Sequence, residues 1–311
     1  SKGKSKRKAF EPTLMPGSHT DAVLTLAHNA AQPNVLASGS ADRTVKMWDL
    51  DTLSCMHTFT HHKDKVQVVA WNPTEPTILL TVGYDRRACV FDVRTGTDKM
   101  AKWKLSDDPE SALWDPHAPT NFLVATEDGC VTAYDCRNSG ASLYTLHAHN
   151  KSVASMAFNP TIPHLLATGG TDKRIKLWDL ESKSCMHTYD AKEVGAVFTL
   201  AFNADSPLIL AAGGSRGNLV VLATADWPAV SEKYRSWAAK TGASTTSWDP
   251  KAQDSDDEDM AEALEELGLE TTNNLAVDPE DMGIGVDDGW ETMSEDEEDA
   301  GSKGKKGGKK D

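Results

Sequence analysis

An internal repeat with a period of 43 or 44 residues runs through this 311-residue chain. Its units end in strand-like segments that close on an aromatic residue followed by aspartate, at Trp48, Phe91, Tyr134 and Trp178, with a degenerate fifth copy at Leu222. A second marker stands six residues before each of these, at Asp42, Asp85, Asp128 and Asp172, with Arg216 in the fifth copy. A fixed period of this length is typical of architectures in which each unit packs on its neighbours.

Each unit has the pattern of four β-strands. In the first unit the segments 22–27, 34–40, 44–50 and 55–60 are rich in alternating and β-branched residues, and Gly, Asn and Pro separate them. Four strands in about 40–45 residues is the pattern of a WD-repeat blade. The sequence therefore predicts an all-β WD40 β-propeller with five visible blades.

The repeat also predicts a hydrogen-bonded set of His, Ser or Thr, Asp and Trp inside a blade, since a half-buried carboxylate needs partners. Complete structural tetrads are expected at His19, Ser38, Asp42 and Trp48, and at His149, Thr168, Asp172 and Trp178. A partial tetrad is expected at His62, Thr81, Asp85 and Phe91, because phenylalanine has no N–H to donate. Ser, His and Asp also form hydrolase triads, but repetition favours the structural interpretation, since a catalytic triad needs one copy only.

The net charge of −15 is distributed very unevenly. Residues 1–11 contain five basic residues and one acidic residue, whereas residues 249–300 contain 21 acidic residues and one basic residue. So acidic a segment cannot bury enough apolar surface to fold alone. We therefore expect a basic disordered arm at 1–17, propeller blades at 18–238, and an acidic disordered tail at 239–311 that ends in a lysine-rich segment.

Several function classes are disfavoured by the sequence. It has no apolar run long enough for a membrane helix, no apolar core of a signal peptide and no enzyme motif in a fitting context. The five cysteines include no CxxC pair, and two SCMHT segments, at 54–58 and 184–188, lie three units apart. We expect no catalytic residue, no metal, no cofactor, no membrane contact and no small-molecule substrate.

A family resemblance rests on the ordered segments SHTDAVLTL, NVLASGSADRTVKMWD, GYDRRACVFDVR, FLVATEDGCVTAYDCR and LHAHNKSVASMAFNP. They resemble the periodic tryptophan protein 1 family of nuclear WD-repeat proteins, from about His19 to Leu222. The resemblance implies that the five blades are the C-terminal portion of a seven-bladed propeller.

The same resemblance implies a non-enzymatic scaffold in ribosome biogenesis, located in the nucleus and nucleolus. Its work would be rRNA processing, large-subunit assembly or ribosomal RNA transcription through chromatin. Its partners would be proteins of pre-ribosomal particles or of chromatin.

Two candidate binding regions follow from the residues themselves. A broken basic ring is expected at the turns after the tetrad aspartates, where it could meet RNA or an acidic peptide: Arg43, Arg86, Arg87, Lys173, Arg174 and Arg216. Apolar anchors in the acidic tail could fold onto basic proteins: Met260, Leu264, Leu267 and Trp290. In both regions a merely solvated surface is the competing interpretation.

Two alternative functions remain open at this point. The segments at 91–94 and 134–137 are similar to the WDxR box of substrate receptors of cullin-type ubiquitin ligases, although neither begins with Trp. The Asn-Pro turns suggest a histone-binding chromatin subunit. Neither alternative requires catalysis, because the propeller fold alone supplies no chemistry.

Overall fold

The structure, a computed structural model, describes residues 16–204 and 206–233. The predicted basic arm up to residue 15, the acidic tail from residue 234 and the tail anchors Met260, Leu264, Leu267 and Trp290 lie outside the described residues. Within the described part, no helix is long and apolar enough to cross a membrane.

The described residues form five consecutive antiparallel sheets, which are the blades of a WD40 β-propeller. Blade 1 contains β1 (Val23–His28), β2 (Val35–Ser40), β3 (Val45–Asp49) and β4 (Ser54–Phe59). Blade 2 contains β5 (Val66–Trp71), β6 (Ile78–Gly83), β7 (Arg87–Asp92) and β8 (Ala101–Lys104), with a short 3₁₀ helix at Gly96–Lys99. Blade 3 contains β9 (Pro109–Trp114), β10 (Asn121–Thr126), β11 (Cys130–Asp135) and β12 (Ser142–His147).

The remaining strands form blades 4 and 5. Blade 4 contains β13 (Val153–Phe158), β14 (Leu165–Gly170), β15 (Arg174–Asp179) and β16 (Ser184–Asp190). Among the described residues, blade 5 has three strands, β17 (Val197–Phe202), β18 (Ile209–Gly214) and β19 (Leu219–Ala223), followed by a 3₁₀ helix at Thr224–Asp226. The sequence leaves open whether residues 225–248 add the outer strand of blade 5 or form a short helix, and the described residues 228–233 are helical.

The chain after β19 turns away from the sheet edge. Residues 228–233 are helical, Val230 is fully buried in the core between blades 4 and 5, and the Trp227 ring stacks on His187 of blade 4 at 4.2 Å between centroids. The Lys233 ammonium lies 2.5 Å from the Asp179 carboxylate. Because this segment packs on blade 4, it leaves the outer edge of β19 unpaired within the described residues.

The apolar core lies between successive blades. One face of each sheet packs on the next sheet, which gives four clusters, between blades 1 and 2, 2 and 3, 3 and 4, and 4 and 5. Indole N–H groups add hydrogen bonds across two of these joints: Trp71 donates to the Ala27 carbonyl at 3.0 Å, and Trp114 to the Ala70 carbonyl at 3.1 Å. No strand of blade 5 packs extensively on blade 1 among the described residues.

Candidate functional site

Two blades contain the complete hydrogen-bonded tetrad. In blade 1, His19 lies 2.7 Å from the Ser38 hydroxyl through Nε2 and 2.8 Å from the Asp42 carboxylate through Nδ1, and the Trp48 indole donates to Ser38 at 2.8 Å. The fourth blade repeats these contacts at 2.9, 2.9 and 3.0 Å with His149, Thr168, Asp172 and Trp178. Since Ser38 accepts from the indole, its hydroxyl proton points to the imidazole, and the imidazole N–H points to the carboxylate.

The surroundings shift the pKa of one group in each tetrad, the Asp42 carboxyl in blade 1 and the His149 imidazole in blade 4. Burial acts to raise the pKa of Asp42, but hydrogen bonds from the Thr44 side chain, the Thr20 backbone and His19 outweigh it, so the pKa lies well below its usual value. Burial lowers the pKa of His149. Thr168 is fully buried in the same arrangement as Ser38. Because the repeat reproduces these distances in two blades, and a catalytic triad needs one copy only, we propose that the Ser–His–Asp geometry serves folding.

The partial tetrad of blade 2 is completed by a residue that the sequence did not indicate. His62 lies 2.9 Å from the Thr81 hydroxyl and 3.0 Å from Asp85, and Phe91 cannot donate. The His61 Nε2 lies 2.9 Å from the same Thr81 hydroxyl, where the indole nitrogen is found in blades 1 and 4. The only available signal was the doubled histidine before the strand.

The same residues form a cluster that must be tested as a metal site. His61, His62 and Cys89 offer one ligand atom each within 4.8 Å of one another, and the buried His61 Nδ1 has no hydrogen-bond partner among the described residues. Both nitrogens of His62 are already hydrogen-bonded, however. Burial raises the pKa of Cys89 to about 12 and lowers that of His61 to about 3. Because both His62 nitrogens are occupied, only His61 Nδ1 and the Cys89 sulfur remain, which is fewer than the three or four protein ligands of a zinc site.

Blades 3 and 5 replace the tetrad in different ways. In blade 3 the positions of His and Thr hold Leu105 and Val124, which are buried in one apolar cluster. Replacing both hydrogen-bonding partners with apolar groups costs little. The Asp128 carboxylate still accepts from the Thr126 hydroxyl at 2.6 Å. In blade 5, Arg216 stands in the position of the aspartate.

Basic residues occupy equivalent, conformationally unfavourable turns at one end of the blades. Arg43, Arg86 and Lys173, each directly after a tetrad aspartate, have φ values of 69°, 56° and 65°. Blades 3 and 5 have Gly129 and Gly217 there, at 83° and 76°. The left-handed region costs a non-glycine residue about 1–2 kcal/mol. We call this end of the blades, with its hairpin turns, the turn face.

The turn face is not a uniform basic ring, because acidic residues fill the sector at blade 3. The Arg86 guanidinium is held by Asp107 at 2.8 Å and Asp108 at 2.7 Å. Burial, followed by Glu127 and Asp108, raises the pKa of Glu110. Burial, then Glu110 and other nearby carboxylates, also raises the pKa of Tyr84. The repeat does not predict this acidic sector, because its residues do not share one phase.

The other predicted ring members differ in position. Arg87 and Arg174 begin strands β7 and β15, and Arg216 stands one residue earlier than Arg43 does in its turn. Four of the predicted residues are exposed and form no ion pair with the described residues: Arg43, Lys173, Arg174 and Arg216. The exposed and unpaired members of the predicted ring therefore lie on blades 1, 4 and 5.

The remaining motifs form local contacts. Arg94 and Arg137, of the WDxR-like segments, each pair with the aspartate two residues earlier at 2.6 Å. The two SCMHT segments form the outer strands β4 and β16 of different blades. In each, the cysteine thiol contacts the backbone carbonyl of the histidine two residues later.

Comparison with known sequences adds the family context. The family described as WD domain, G-beta repeat matches residues 11–49, 53–92 and 140–179. An uncharacterized WD repeat-containing protein of Schizosaccharomyces pombe is 43% identical over 235 residues, which is 75% of this chain and 45% of that protein.

Two further relatives carry the periodic tryptophan name. The periodic tryptophan protein 1 homolog of Drosophila melanogaster is 31% identical over 67% of this chain and 49% of its own length. Periodic tryptophan protein 1 of Saccharomyces cerevisiae is 28% identical over 65% of this chain and 38% of its own length. The chain spans about half the length, or less, of these curated relatives.

Proposed function

From the premise that this chain is a WD-repeat protein, we propose that it is a non-enzymatic docking scaffold in nuclear ribosome biogenesis. The observation that carries the proposal is the similarity of about two thirds of the chain to periodic tryptophan protein 1 from two organisms. The family resemblance of the sequence implies the finer assignment to the nucleolus, rRNA processing, large-subunit assembly or ribosomal RNA transcription. Neither the ubiquitin-ligase nor the histone-binding alternative is favoured.

The turn face is the surface that we propose for docking. Its free cations on blades 1, 4 and 5 suit phosphates or an acidic peptide, and the acidic sector of blade 3 suits a basic segment. A partner with both signs of charge, such as a ribonucleoprotein, could contact both sectors at once. Such a contact is electrostatic and exposed, so it weakens as salt rises.

Co-sedimentation of the tagged chain with nuclear particles tests this function. We expect it to travel with pre-ribosomal particles, and the double variant Lys173→Glu/Arg174→Glu to lose several-fold of this recovery, because it reverses two unpaired cations. The matched control is Arg94→Glu/Arg137→Glu, which reverses two arginines already paired with neighbouring aspartates. Two outcomes would contradict the proposal. One is that the chain is recovered with a cullin adaptor and that only the control variant loses this recovery. The other is that the chain is recovered with nucleosomes alone.

A further inference from the structure

A patch of exposed cations lies on the turn face where blade 4 meets blade 5. Its members form no ion pair with the described residues: Lys151, Lys173 and Arg174 of blade 4 and Arg216 of blade 5. We call these four residues the blade 4–5 patch. Because blade 4 has a neighbouring blade on each side, the exposure of its three cations does not arise at an end of the described chain.

Hydrogen bonds within blade 4 place Lys151 beside the turn between β14 and β15. The Asn150 backbone donates to the Asp172 carboxylate at 3.3 Å, and the Thr171 backbone donates to the Ser152 carbonyl at 2.9 Å. Both sequence neighbours of Lys151 are thus bonded to this turn, so the three cations of blade 4 lie at one place on the turn face.

A second set of backbone bonds joins this turn to the turn of blade 5. The Lys173 carbonyl accepts from the Ala191 N–H at 2.9 Å, and the Arg216 N–H donates to the Val194 carbonyl at 3.1 Å. Residues 191–194 therefore connect the two turns directly. The backbone segments that carry the four cations converge on one short loop.

The carboxylates of the same turns and loop already have partners. Asp190, which is opposite Arg174 in the register of β15 and β16, pairs with Lys192 at 2.9 Å. Glu193 accepts from the Tyr189 hydroxyl. The tetrad carboxylate of blade 4 contacts its histidine. The positive charge of the patch is therefore available to an anionic ligand.

The last described residues are attached to the same blade. Lys233 lies 2.5 Å from Asp179, and Val230 is fully buried between blades 4 and 5. Asp179 ends β15, and Arg174 of the patch begins it. A strand of this length spans about 17 Å, so the chain that continues from Lys233 starts at about that distance from the patch.

The sequence that follows contains a segment of the opposite charge. Residues 254–266 include eight acidic residues and no basic residue. Residues 234–253 connect this segment to Lys233, and a connection of that length can span up to about 65 Å, which exceeds the distance to the patch. A tethered segment within reach of its site has an effective concentration in the millimolar range, so it competes strongly with separate anions.

We propose that residues 254–266 bind the blade 4–5 patch of their own chain and thereby compete with the anionic partner of the turn face. The segment acts as an autoinhibitory contact: a partner with a high density of negative charge displaces it, whereas a weakly charged one does not. This inference rests on the docking role proposed above for the turn face. It adds to that role a regulation by the acidic residues of the chain itself.

Zero-length carbodiimide cross-linking of the monomeric full chain tests the contact directly, because this reagent joins a carboxylate to a lysine only when the two touch. At low salt we expect cross-links from residues 254–266 to Lys151 and Lys173, and their loss in about 1 M NaCl, where exposed charges are screened. The exposed lysines of blade 2, Lys63 and Lys65, are the control and should not react with this segment. Absence of the expected links at low salt overturns the proposal, and so do equal links to the control lysines.

Binding of a labelled polyuridine RNA measures the competition. Replacing the eight acidic residues of 254–266 by Asn or Gln in the full chain should raise the RNA affinity at low salt about ten-fold, because the tethered competitor is removed. The matched control neutralises the eight acidic residues of 287–299, which changes the net charge equally. It should raise the affinity less than about two-fold. Equal gains in the two variants indicate general charge repulsion and overturn the proposal, and so does the absence of a gain in both.

A further pair of variants locates the competition on the patch. Added to the chain with the neutralised segment, Lys173→Glu/Arg174→Glu should abolish the gain in RNA affinity, whereas Lys63→Glu/Lys65→Glu should leave it in place. Equal loss in both overturns the assignment to the patch. If co-sedimentation with pre-ribosomal particles succeeds while the cross-links and the gain are absent, the inference alone is wrong. If the cross-links and the gain appear without co-sedimentation, the proposed function alone is wrong.

Discussion

At the scale of single residues, blade 2 shows how a lost hydrogen-bond donor is replaced from another position. Trp48 and Trp178 donate to the tetrad hydroxyl from the third strand of their blades. In blade 2 the His61 imidazole donates from the loop before β5, and its ring lies edge-on to Phe91 at 5.2 Å. The hydroxyl of Thr81 is fully buried, so an unmade hydrogen bond there costs about 1–3 kcal/mol.

This exchange predicts a coupled pair of substitutions. His61→Ala should lower the free energy of unfolding by about 1–3 kcal/mol, because Thr81 loses its donor. Phe91→Trp alone should also lower the free energy of unfolding by about 1–3 kcal/mol, because the larger indole ring would overlap with the His61 imidazole. The double variant should be more stable than the sum predicts, because the indole then takes over the position and hydrogen bond of His61. Urea unfolding of the four proteins measures the coupling.

The exposed His57 provides the control, and its replacement by alanine should change stability by less than about 0.5 kcal/mol. Additive effects of His61→Ala and Phe91→Trp would show that His61 does not replace the tryptophan donor.

At the scale of elements, buried asparagines after the innermost strands connect neighbouring blades. Asn29, Asn72 and Asn159 each accept backbone N–H bonds in their own turn and donate through Nδ2 to a proline carbonyl of the next blade, at Pro76, Pro119 and Pro207. Asp115 accepts the same backbone bonds in the turn of blade 3, but its carboxylate has no N–H to donate. Between blades 3 and 4, the His117 imidazole instead donates to the Asn159 carbonyl at 2.9 Å. The repeat revealed these turns but could not show their partners.

The connection between blades 4 and 5 can be removed without losing the turn. Asn159→Asp keeps the oxygen that accepts from Thr161 and Ile162, but it places a buried charge against the Pro207 carbonyl in place of a donor. We expect a loss of more than about 2 kcal/mol, with amide hydrogen exchange accelerated in β17 and β18 before β1 and β2.

The converse substitution Asp115→Asn is the matched control and should cost less than about 0.5 kcal/mol, because the asparagine oxygen can accept the same backbone bonds. Exchange that accelerates equally in all blades after Asn159→Asp would show that the asparagine does not act at one joint.

At the scale of the whole described unit, the sequence predicts the features that recur in every blade. It does not predict the features that occur in one blade only. Strand positions and the faces of the sheets follow from the 43- and 44-residue period, because every blade uses the same alternation. The choice of a helix over a strand at 228–233 and the acidic sector around Glu110 depend on contacts between residues in different phases of the repeat. Tertiary packing decides such features, and periodicity contains no information about them.

The stability of this unit should depend on pH through its buried tetrad groups. Burial lowers the pKa of His61 from 6.5 to about 3 and also lowers that of His149, so both imidazoles stay neutral in the folded chain where the unfolded chain binds protons. Their contribution is complete above pH 6.5 and declines as the pH falls towards 3. The decline is at most about 1.4 kcal/mol per pH unit for each histidine. The lowered pKa of Asp42 also reduces the free energy of unfolding as the pH falls, but only below about pH 3.8, where the carboxylate of the unfolded chain becomes protonated.

Urea unfolding midpoints followed by circular dichroism should therefore fall steadily from about pH 6.5 to pH 4 and more steeply at lower pH. His61→Gln removes one titrating group while keeping an amide that can donate to Thr81, so its midpoint should fall less steeply over the same interval. His57→Gln, at an exposed position, should reproduce the wild-type slope. A wild-type midpoint that stays constant between about pH 7 and pH 5 would contradict the lowered pKa values of His61 and His149.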